Sequence, residues 1–572
     1  MDWAQAFFTK YPELAVYLAL GVGYAVGGVK LGGFSLGGST GSLLAGLLIG
    51  AWLETPVNAT AKSVLFMLFL FGIGYSVGPK FANAMKGDGW RFAVLGVFVP
   101  VVGLLTAWAV ATYLHLDPGF AGGLVSGALT ESPAMGTASE AIQGLAISPD
   151  EQQRLIGHVA VADALCYVFG AFGVIWVCGS LGPRLLGLDL QKEAAELEQK
   201  FGIERNRPGT ASGWRPFVLR AFRVTPEAAN VWSTAAALER SELPARLFVV
   251  RLRRGDRIVE GNLTVDLRAG DVVAVSGPRE AVVDLVTKGL VEVEDRELLD
   301  MTIATYDVFL TSKDLDGQTL ADVATRAQEV RSVYLRKIVR DGQDVPIGPG
   351  TVLERGDVVR LVGPEATMDQ VARRIGAVVS PTDVTDFPVM GLAIVVGALV
   401  GVLAGVNLGG FRLSLGSSVG VLLAGILVGY IRGRRPLFGR IPDAAISFMQ
   451  SIGLSGFVAM VGIGAGPHFM PAIREAGLGL FFGGIIVTLT PQIAGLYFGR
   501  YILKVNPLLL LGGLSGAQTF TPGLAAVQDK SGSPIAVLGY SGAVAIAHVL
   551  LPMWGAVIVA LMSGNVAGPP PG

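Results

Sequence analysis

The chain has 572 residues, of which 51% are hydrophobic and 16% are charged. Soluble domains carry about 25% charged residues, so this composition indicates that part of the chain lies in a lipid bilayer. The formal net charge of −1 argues against a nucleic-acid partner, because such a partner would favour a basic face.

The charged residues are unevenly distributed along the chain. Roughly two thirds of the Asp, Glu, Lys and Arg residues lie between about residues 182 and 386. This distribution predicts a soluble segment between two membrane segments. The predicted parts are an N-terminal membrane repeat (1–182), a linker helix (183–204), two α/β domains (205–297 and 298–386) and a C-terminal membrane repeat (387–572).

Apolar runs predict five spans in the first membrane segment. The chain begins without a basic region or a small-residue cleavage site, so we expect the first span to be retained rather than cleaved as a signal peptide. Several spans are shorter than the ~20 residues that a bilayer requires. The predicted spans are 13–28, 39–54, 61–78, 91–114 and 154–180.

The middle segment carries a repeat of its own. "LRAGDVVAVSGPREAV" (267–282) parallels "LERGDVVRLVGPEATM" (353–368), and both predict period-2 strands with a Gly-Asp turn, followed by an amphipathic helix. The pattern resembles the TrkA-C domain, the C-terminal regulator-of-conductance module of cation transport proteins. Ligand binding and a dimerising or rigid scaffold role are both open for this pair.

The last membrane segment repeats the first one. "VKLGGFSLGGSTGSLLAGLLIG" (29–50) matches "VNLGGFRLSLGSSVGVLLAGILVG" (406–429), and "FGIGYSVGPKF" (71–81) matches "VGIGAGPHF" (461–469). The collinear order indicates a duplication, whereas chance similarity of Gly/Ala-rich helices is the alternative. The predicted spans here are 388–405, 418–431, 446–465, 477–500 and 535–562.

Lys and Arg residues in the short loops predict the orientation. The segment "IRGRRPLFGR" (431–440) follows the second span of the last repeat, and Arg500 and Lys504 follow the fourth. We therefore expect these loops and the middle domains to be cytoplasmic, with both termini on the outside. Because each repeat has an odd number of spans, the two repeats are inverted, as is typical of secondary transporters.

Two polar motifs interrupt the most apolar parts of the repeats. They are "GALTESPAM" (127–135) and "GAQTFTPGL" (516–524), and Pro133 and Pro522 cannot continue a helical hydrogen-bond ladder. Broken backbone at membrane depth is tolerated only where protein buries it or where it lines a wet cavity. We therefore predict re-entrant hairpins over the segments 119–147 and 507–530, which meet near the midplane; kinked packing helices are the alternative.

The hairpin tips are the predicted substrate site. N-termini of half-helices present free N–H groups and positive dipole ends, which favour a carboxylate, and hydroxyls add donors. Glu131, where the second motif has Phe520, would bind a substrate ammonium or a coupling cation, unless it lies at a solvated tip. The predicted substrate-binding residues of the hairpins are Gly127, Thr130, Glu131, Ser132, Pro133, Ala134, Gln518, Thr519, Thr521, Pro522 and Gly523.

Other polar residues in the apolar segments are further candidates. Lys30 and Arg412 flank the two matching "LGGF" segments, where a cation can attract an anionic substrate or extend to the membrane surface. Asp163 and His158 in the fifth span, and His548 in the equivalent span, are candidates for binding a proton or a cation. Packing of satisfied polar residues is the alternative for each of these three.

The sequence offers little support for catalysis. The chain has four His residues, and we find no nucleophile–base constellation at a recognisable spacing. The middle domains show no dinucleotide fingerprint and no metal-ligand spacing, so we predict no cofactor and no metal. The only cysteines, Cys166 and Cys178, lie in one apolar segment and are expected to pack between helices rather than to form a disulfide.

The paired "GA-x-T-x-[ST]-P" motifs, the paired "LGGF…LLAG" blocks and the two "GIG" segments around a central domain resemble the aspartate–alanine exchanger family. The resemblance covers essentially the whole chain. It implies an elevator-like antiporter of the bacterial inner membrane, with periplasmic termini. Such an antiporter imports L-aspartate, exports L-alanine electrogenically and is functionally coupled to a cytoplasmic aspartate decarboxylase.

Two other functions stay open beside this exchange. Members of the same family export dicarboxylates such as succinate, and a regulated ion channel is a further alternative. The Gly-rich surfaces of the first spans, and an analogy with other elevator-like carriers, predict a homodimer.

Overall fold

The structure is a computed structural model that describes residues 2–29, 37–53, 55–83, 89–201, 217–239, 247–260, 266–326, 333–340, 343–378, 384–408, 411–414, 416–433 and 438–563. The chain divides into two compact units. One comprises Met1–Leu197 and Pro381–Gly572, and the other comprises Glu198–Ser380.

The first membrane repeat is entirely helical over its described residues. Several helices start where a side chain caps free N–H groups and a proline follows, as at Asp117–Pro118 and Ser148–Pro149. The helices are α1 (Asp2–Lys10), α2 (Pro12–Gly27), α3 (Gly38–Leu53), α4 (Ala59–Asn83), α5 (Gly89–Tyr113), α6 (Pro118–Ala128), α7 (Pro133–Gln143), α8 (Pro149–Trp176), α9 (Gly182–Leu185) and α10 (Leu190–Phe201).

The second unit contains two five-stranded antiparallel sheets. The first sheet consists of β1 (Phe217–Val224), β2 (Phe248–Arg254), β3 (Arg257–Glu260), β4 (Val272–Pro278) and β5 (Leu290–Val293). The second sheet consists of β6 (Ile303–Leu310), β7 (Tyr334–Arg340), β8 (Gln343–Val345), β9 (Val358–Pro364) and β10 (Gly376–Val378). The helices of this unit are α11 (Pro226–Val231), α12 (Ala235–Glu239), α13 (Arg279–Thr287), α14 (Arg296–Leu299), α15 (Leu320–Arg326) and α16 (Glu365–Ile375).

The two sheets have the same topology. Their strand orders, β3-β2-β4-β1-β5 and β8-β7-β9-β6-β10, correspond strand by strand. An irregularity in register recurs at the same place, between Val249 and Arg251 in β2 and between Leu335 and Lys337 in β7. This correspondence confirms the α/β pair that the repeated sequence predicts.

The repeated Gly-Asp turn holds the same ion pair in both sheets. Arg254 at the end of β2 binds Asp271 with both guanidinium N–H groups, at 2.9 and 2.7 Å. Arg340 at the end of β7 binds Asp357 in the same way, at 2.7 and 2.8 Å. Asp357 is only 1% exposed, so its charge depends on this bidentate contact.

The second membrane repeat follows the order of the first. One feature that the sequence analysis did not predict is a two-stranded ladder in the second "LGGF" segment, formed by β11 (Gly405–Leu408) and β12 (Phe411–Ser414). The helices are α17 (Phe387–Leu403), α18 (Gly416–Arg432), α19 (Asp443–Ala465), α20 (Phe469–Tyr497), α21 (Pro507–Ala517), α22 (Thr521–Ser531) and α23 (Val537–Ser563).

Each of the ten predicted spans is a helix in the structure. Within the described residues, six segments are long and apolar enough to cross a membrane: Ala59–Pro79, Gly89–Tyr113, Pro149–Leu185, Asp443–Glu475, Gly477–Ile502 and Pro534–Ser563. The other four spans are the apolar helices α2, α3, α17 and α18, with 16 or 17 residues each. These findings confirm two helical membrane repeats that flank an α/β segment.

The membrane helices associate according to their position in the repeat. Helices α2 to α4 and α17 to α19 pack mainly among themselves, and so do α5 to α8 and α20 to α23. Glycine allows the close approach in the first group, since a Cβ at Gly74 would overlap the carbonyl oxygen of Leu422. We call the first set the outer group and the second set, which contains both broken helices, the hairpin group.

One polar contact between the two groups is a capped helix end. The Glu140 carboxylate of α7 accepts hydrogen bonds from Ser417 N at 2.7 Å, Ser417 Oγ at 2.5 Å and Ser418 N at 3.2 Å. These donors lie in the first turn of α18, where a negative charge complements the helix dipole. The contact joins α7 of the hairpin group to α18 of the outer group.

We predict that Arg340→Ala destabilises the second sheet, because it leaves the buried Asp357 carboxylate without its cation. Breaking one side of a buried pair costs about 3–5 kcal/mol. Amide hydrogen exchange of the full-length protein should show at least tenfold faster exchange in β7 and β9. Arg296→Ala is the matched control: Arg296 and Glu294 form an ion pair with side chains 91% and 77% exposed. Unchanged exchange in Arg340→Ala would show that this pair does not stabilise the sheet.

Candidate functional site

Both predicted hairpins are present as two short helices joined by a tip. The first consists of α6 and α7, and the second of α21 and α22, which confirms the broken helices over 119–147 and 507–530. Each begins with an Asx–Pro step, in which the side chain of Asp117 or Asn506 accepts N–H hydrogen bonds from the first helical turn. Each second helix begins at or next to the motif proline, Pro133 in α7 and Pro522 in α22.

The two tips share an unusual backbone conformation. Thr130 has φ 57° and Thr519 has φ 53°, a left-handed region that β-branched residues rarely adopt. In both tips the N–H group of the residue after the threonine donates a hydrogen bond to a carbonyl oxygen five residues earlier. These hydrogen bonds are Glu131 N to Ser126 O at 2.8 Å and Phe520 N to Ser515 O at 3.0 Å. Strained backbone of this kind persists where the surrounding structure holds it, most often at functional sites.

The tips are hydrogen-bonded to each other. Thr519 Oγ1 lies 2.6 Å from Glu131 Oε2, and Thr130 Oγ1 lies 3.1 Å from the backbone oxygen of Gln518. Glu131 is 3% exposed and Thr130 is 9% exposed. The structure thus brings together four of the predicted site residues, two from each repeat, in a buried polar contact.

Several polar groups around this contact have no hydrogen-bond partner among the described residues. Gln518 is fully buried, and neither its Oε1 nor its Nε2 atom is paired. The N–H groups of Ser132 and Thr521, at the starts of α7 and α22, find no acceptor in the described part of the chain. Because an unpaired buried polar group is costly, the Gln518 amide marks a place for a polar ligand or water, whereas Thr521 is exposed.

Asp163 lies beside α6 close to the tip of the first hairpin. It is 1% exposed, and its Oδ1 atom has no partner among the described residues. Helix α6 approaches its backbone closely, since a Cβ at Gly127 would lie 2.5 Å from Asp163 O. The phenol of Tyr167, one helical turn further along α8, lies within electrostatic range of both Asp163 and Glu131.

Helices α20 and α23 support the tips with residues that the sequence analysis did not single out. Thr488 Oγ1 lies 2.9 Å from Ala128 O, and Gln492 Nε2 lies 3.3 Å from Leu514 O, so α20 contacts both hairpins. Tyr540 of α23 lies 3.0 Å from the Thr521 hydroxyl. The polar, proline-containing stretch "TLTPQ" (488–492) inside an apolar span was the available signal.

The remaining hairpin candidates lie in the first turns of the second helices. Ser132, Pro133 and Ala134 begin α7, and Pro522 and Gly523 lie in the first turn of α22. A Cβ at Gly523 would lie 2.8 Å from Ser515 Oγ, so this glycine, like Gly127, permits close packing of helices. Approach of a ligand to these glycines stays a prediction.

The other candidates are not at the tips. Lys30 lies outside the described residues, and Arg412 lies on β12, with its side chain outside the described part. His158 lies at the far end of α6 from the tip, about 15 Å away along the helix, where its Nδ1 is 2.6 Å from Asp117 Oδ2. His548 Nδ1 lies 3.0 Å from Val544 O of its own helix.

One group of side chains has the composition of a metal site. Ligand atoms of Asp117, His158 and Glu475 lie within 4.8 Å of one another. Arg154 already pairs with Glu475 at 3.5 Å, and Asp117 both caps α6 and binds His158. We therefore interpret this group as an ion-pair cluster at the base of the first hairpin.

Both cysteines are free and buried, as predicted. Cys166 Sγ lies 3.7 Å from Leu480 O, and Cys178 Sγ lies 3.9 Å from Gln492 Oε1. The two thiols therefore pack against α20 at separate levels of the hairpin group.

Comparison with known proteins is consistent with this architecture. The profile of a family described as Asp-Al_Ex, predicted permease membrane region, matches residues 15–182 and 389–560. A TrkA-C domain profile matches residues 306–376. No solved structure matches the chain.

Curated relatives align over nearly the full length. An uncharacterized transporter of Bradyrhizobium diazoefficiens is 48% identical over 90% of this chain and 100% of its own length. Uncharacterized transporters of Bordetella bronchiseptica and Shewanella oneidensis are 36% and 33% identical, over 96% and 98% of this chain and 97% and 100% of their own lengths. The chain therefore belongs to the aspartate–alanine exchanger family of membrane transporters, and its middle segment contains a TrkA-C domain.

Proposed function

We propose that this transporter exchanges small carboxylic acids at the two hairpin tips, with L-aspartate entering and L-alanine leaving as the leading pair. The observation that carries the proposal is the partly buried contact between the tips, where Thr519 meets Glu131 and the Gln518 side chain has no partner among the described residues. The N–H groups of Ser132 and Thr521, without an acceptor in the described part of the chain, lie at helix N-termini, which favour a carboxylate.

The carboxyl groups near the tips favour an amino acid over a simple dicarboxylate. An amino acid carries an ammonium group, for which Glu131 and Asp163 are complementary, both being less than 4% exposed. Succinate offers no cation to either of them. Export of a succinate-like dicarboxylate is therefore the second candidate.

The grouping of the helices supports alternating access by an elevator-like movement. Both hairpins, and the helices α8, α20 and α23 that hold them, belong to the hairpin group. Such a group can move as one body against the outer group while the site between the tips keeps its contacts. A channel would need a ring of carbonyls or charges open to both sides, whereas here the tips are hydrogen-bonded to each other.

The loop charges and the strand orders support a membrane orientation and a domain assignment for the proposed exchanger. Lys and Arg in the short loops favour a cytoplasmic middle domain and periplasmic termini in a bacterial inner membrane. The matching strand orders support a TrkA-C-like fold for residues 205–297 as well as for 298–386. We further propose a homodimer, and coupling to a cytoplasmic aspartate decarboxylase that consumes the imported substrate.

We predict that Thr130→Ala and Thr519→Ala each reduce exchange at least tenfold without loss of folded protein. Each substitution removes one hydroxyl that joins the tips. The measurement is uptake of labelled substrate into proteoliposomes with equal amounts of purified protein. Thr106→Ala is the matched control, because Thr106 Oγ1 donates to Val102 O of its own helix and to no other described residue. Wild-type exchange by both tip variants would contradict the hairpin site.

We predict that counterflow in proteoliposomes requires an internal substrate. Vesicles loaded with unlabelled L-aspartate or L-alanine should take up labelled L-aspartate rapidly, and empty vesicles should not. Uptake supported only by internal succinate would retain the exchanger and change the substrate. Uptake that ignores the internal load would show a uniporter or a channel and contradict the exchange.

A further inference from the structure

The strongest asymmetry between the two tips is Glu131. The second motif has Phe520 at the corresponding position, so only the first hairpin places a carboxyl group at the tip contact. Glu131 Oε2 lies 2.6 Å from Thr519 Oγ1. This hydroxyl is a donor that an incoming substrate carboxylate would use. Glu131 therefore lies where it competes with an anionic substrate.

The hydrogen bonds around Glu131 accommodate both protonation states. Thr519 Oγ1 lies 2.6 Å from Glu131 Oε2 and 2.8 Å from Gln518 O, but a hydroxyl has a single proton to donate. When Glu131 is ionised, Thr519 donates to the carboxylate. When Glu131 is protonated, its O–H donates to Thr519 Oγ1, and Thr519 donates to Gln518 O instead.

The surroundings of Glu131 offer it no paired cation among the described residues. Tyr167 of α8 lies within electrostatic range of Glu131 and of Asp163 on the same helix, and the second hairpin contributes the neutral Thr519. Among the described residues no Lys, Arg or His forms an ion pair with it, and the carboxyl is 3% exposed. A substrate anion that enters this site while Glu131 is ionised places two like charges together without a counter-ion, which disfavours binding.

We propose that Glu131 is the proton-binding residue of the transport cycle, taking up one proton when an anionic substrate replaces it on Thr519. The proton comes from the water on the side from which the substrate enters and is released with the substrate on the other side. L-Aspartate, with a net charge of −1, binds together with a proton, whereas zwitterionic L-alanine binds to the ionised Glu131. This inference rests on the proposed exchange of carboxylic acids at the tips.

Uptake of a proton by Glu131 changes the charge balance of the exchange. The loaded site then carries the same net charge with either substrate, because the aspartate charge is compensated by the proton on Glu131. Import of aspartate for alanine becomes electroneutral and is driven by the proton gradient as well. The resemblance to the exchanger family implies electrogenic exchange, so Glu131 determines whether this chain follows that pattern.

The test is calorimetric binding of L-aspartate and L-alanine to the purified full-length protein between pH 5 and pH 10. In wild type, the aspartate affinity should fall about tenfold per pH unit above the point where Glu131 ionises. Repeating the titration above that pH, in buffers of different ionisation enthalpy, should count one proton taken up per aspartate. Alanine should take up none.

Substitutions at Glu131 and Asp163, with a control at Glu140, test which carboxyl group takes up the proton. Glu131→Gln keeps the shape and imitates the protonated form, so it should bind aspartate with a pH-independent affinity and no proton uptake. Glu140→Gln, a carboxyl of the same hairpin outside the site, is the matched control and should retain the wild-type slope. Asp163→Asn removes the other buried carboxyl. The aspartate affinity of this variant should still fall as the pH rises, whatever its absolute value.

Each remaining outcome overturns the proposal. A flat aspartate affinity in wild type, or a slope that persists in Glu131→Gln, excludes Glu131 as the proton site. If the pH dependence of aspartate affinity is lost only in Asp163→Asn, the proton binds to Asp163 on α8 instead. If Glu131→Gln does not fold, a wild-type proton count of zero, or a count that is lost in Asp163→Asn, overturns the proposal. If wild type binds neither aspartate, alanine nor succinate at any pH, the proposed function is wrong, and the role of Glu131 falls with it.

Discussion

The contact between two broken helices is the constraint on which the membrane unit depends. A proline at the start of each second half-helix stops the backbone ladder, and the exposed peptide groups then have to be held inside protein. The structure holds them by crossing the tips, with Thr519 on Glu131 and Thr130 on the Gln518 backbone. Both threonines are held in a left-handed conformation that is costly outside such a context. The strain and the unpaired polar groups occur at the same place, which is why we locate the substrate there.

The duplication explains how a single chain builds this contact. Because each repeat contributes one hairpin, two similar sequences supply the two sides of one site. Helices at equivalent positions then pack together, so that the hairpin group and the outer group each contain half of both repeats. The capping of α18 by Glu140 shows that the groups are nevertheless joined at a polar contact, whose strength depends on hydrogen bonds rather than on apolar area alone.

The middle unit uses repetition for another purpose. Its two sheets share strand order, register irregularity and the Arg–Asp pair at the Gly-Asp turn. In the second sheet Arg340 also binds Glu354 at 2.6 Å and Val352 O at 2.8 Å, so one guanidinium holds the whole turn. Such a buried network specifies the turn geometry more than it adds to stability.

The elements and their order could be predicted from the amino-acid sequence. Apolar runs located the spans, Pro133 and Pro522 located the breaks, and the collinear motifs identified the duplication. These features are local, since a missing N–H or a run of apolar side chains acts within a few residues. The two tip threonines, Glu131 and Gln518 were found in this way, because polar residues are conspicuous in an apolar segment.

Which of the polar residues meet depends on how the helices pack. Asp163 and His158 lie five residues apart on one helix, yet the backbone of the first contacts α6 near the hairpin tip and the second binds Asp117 at the far end of α6. Thr488, Gln492 and Tyr540 became visible as supports of the tips because helices distant in sequence pack against them. Contacts of this kind depend on the angle and depth at which helices cross, and these follow from the packing of all the side chains at once rather than from any one segment.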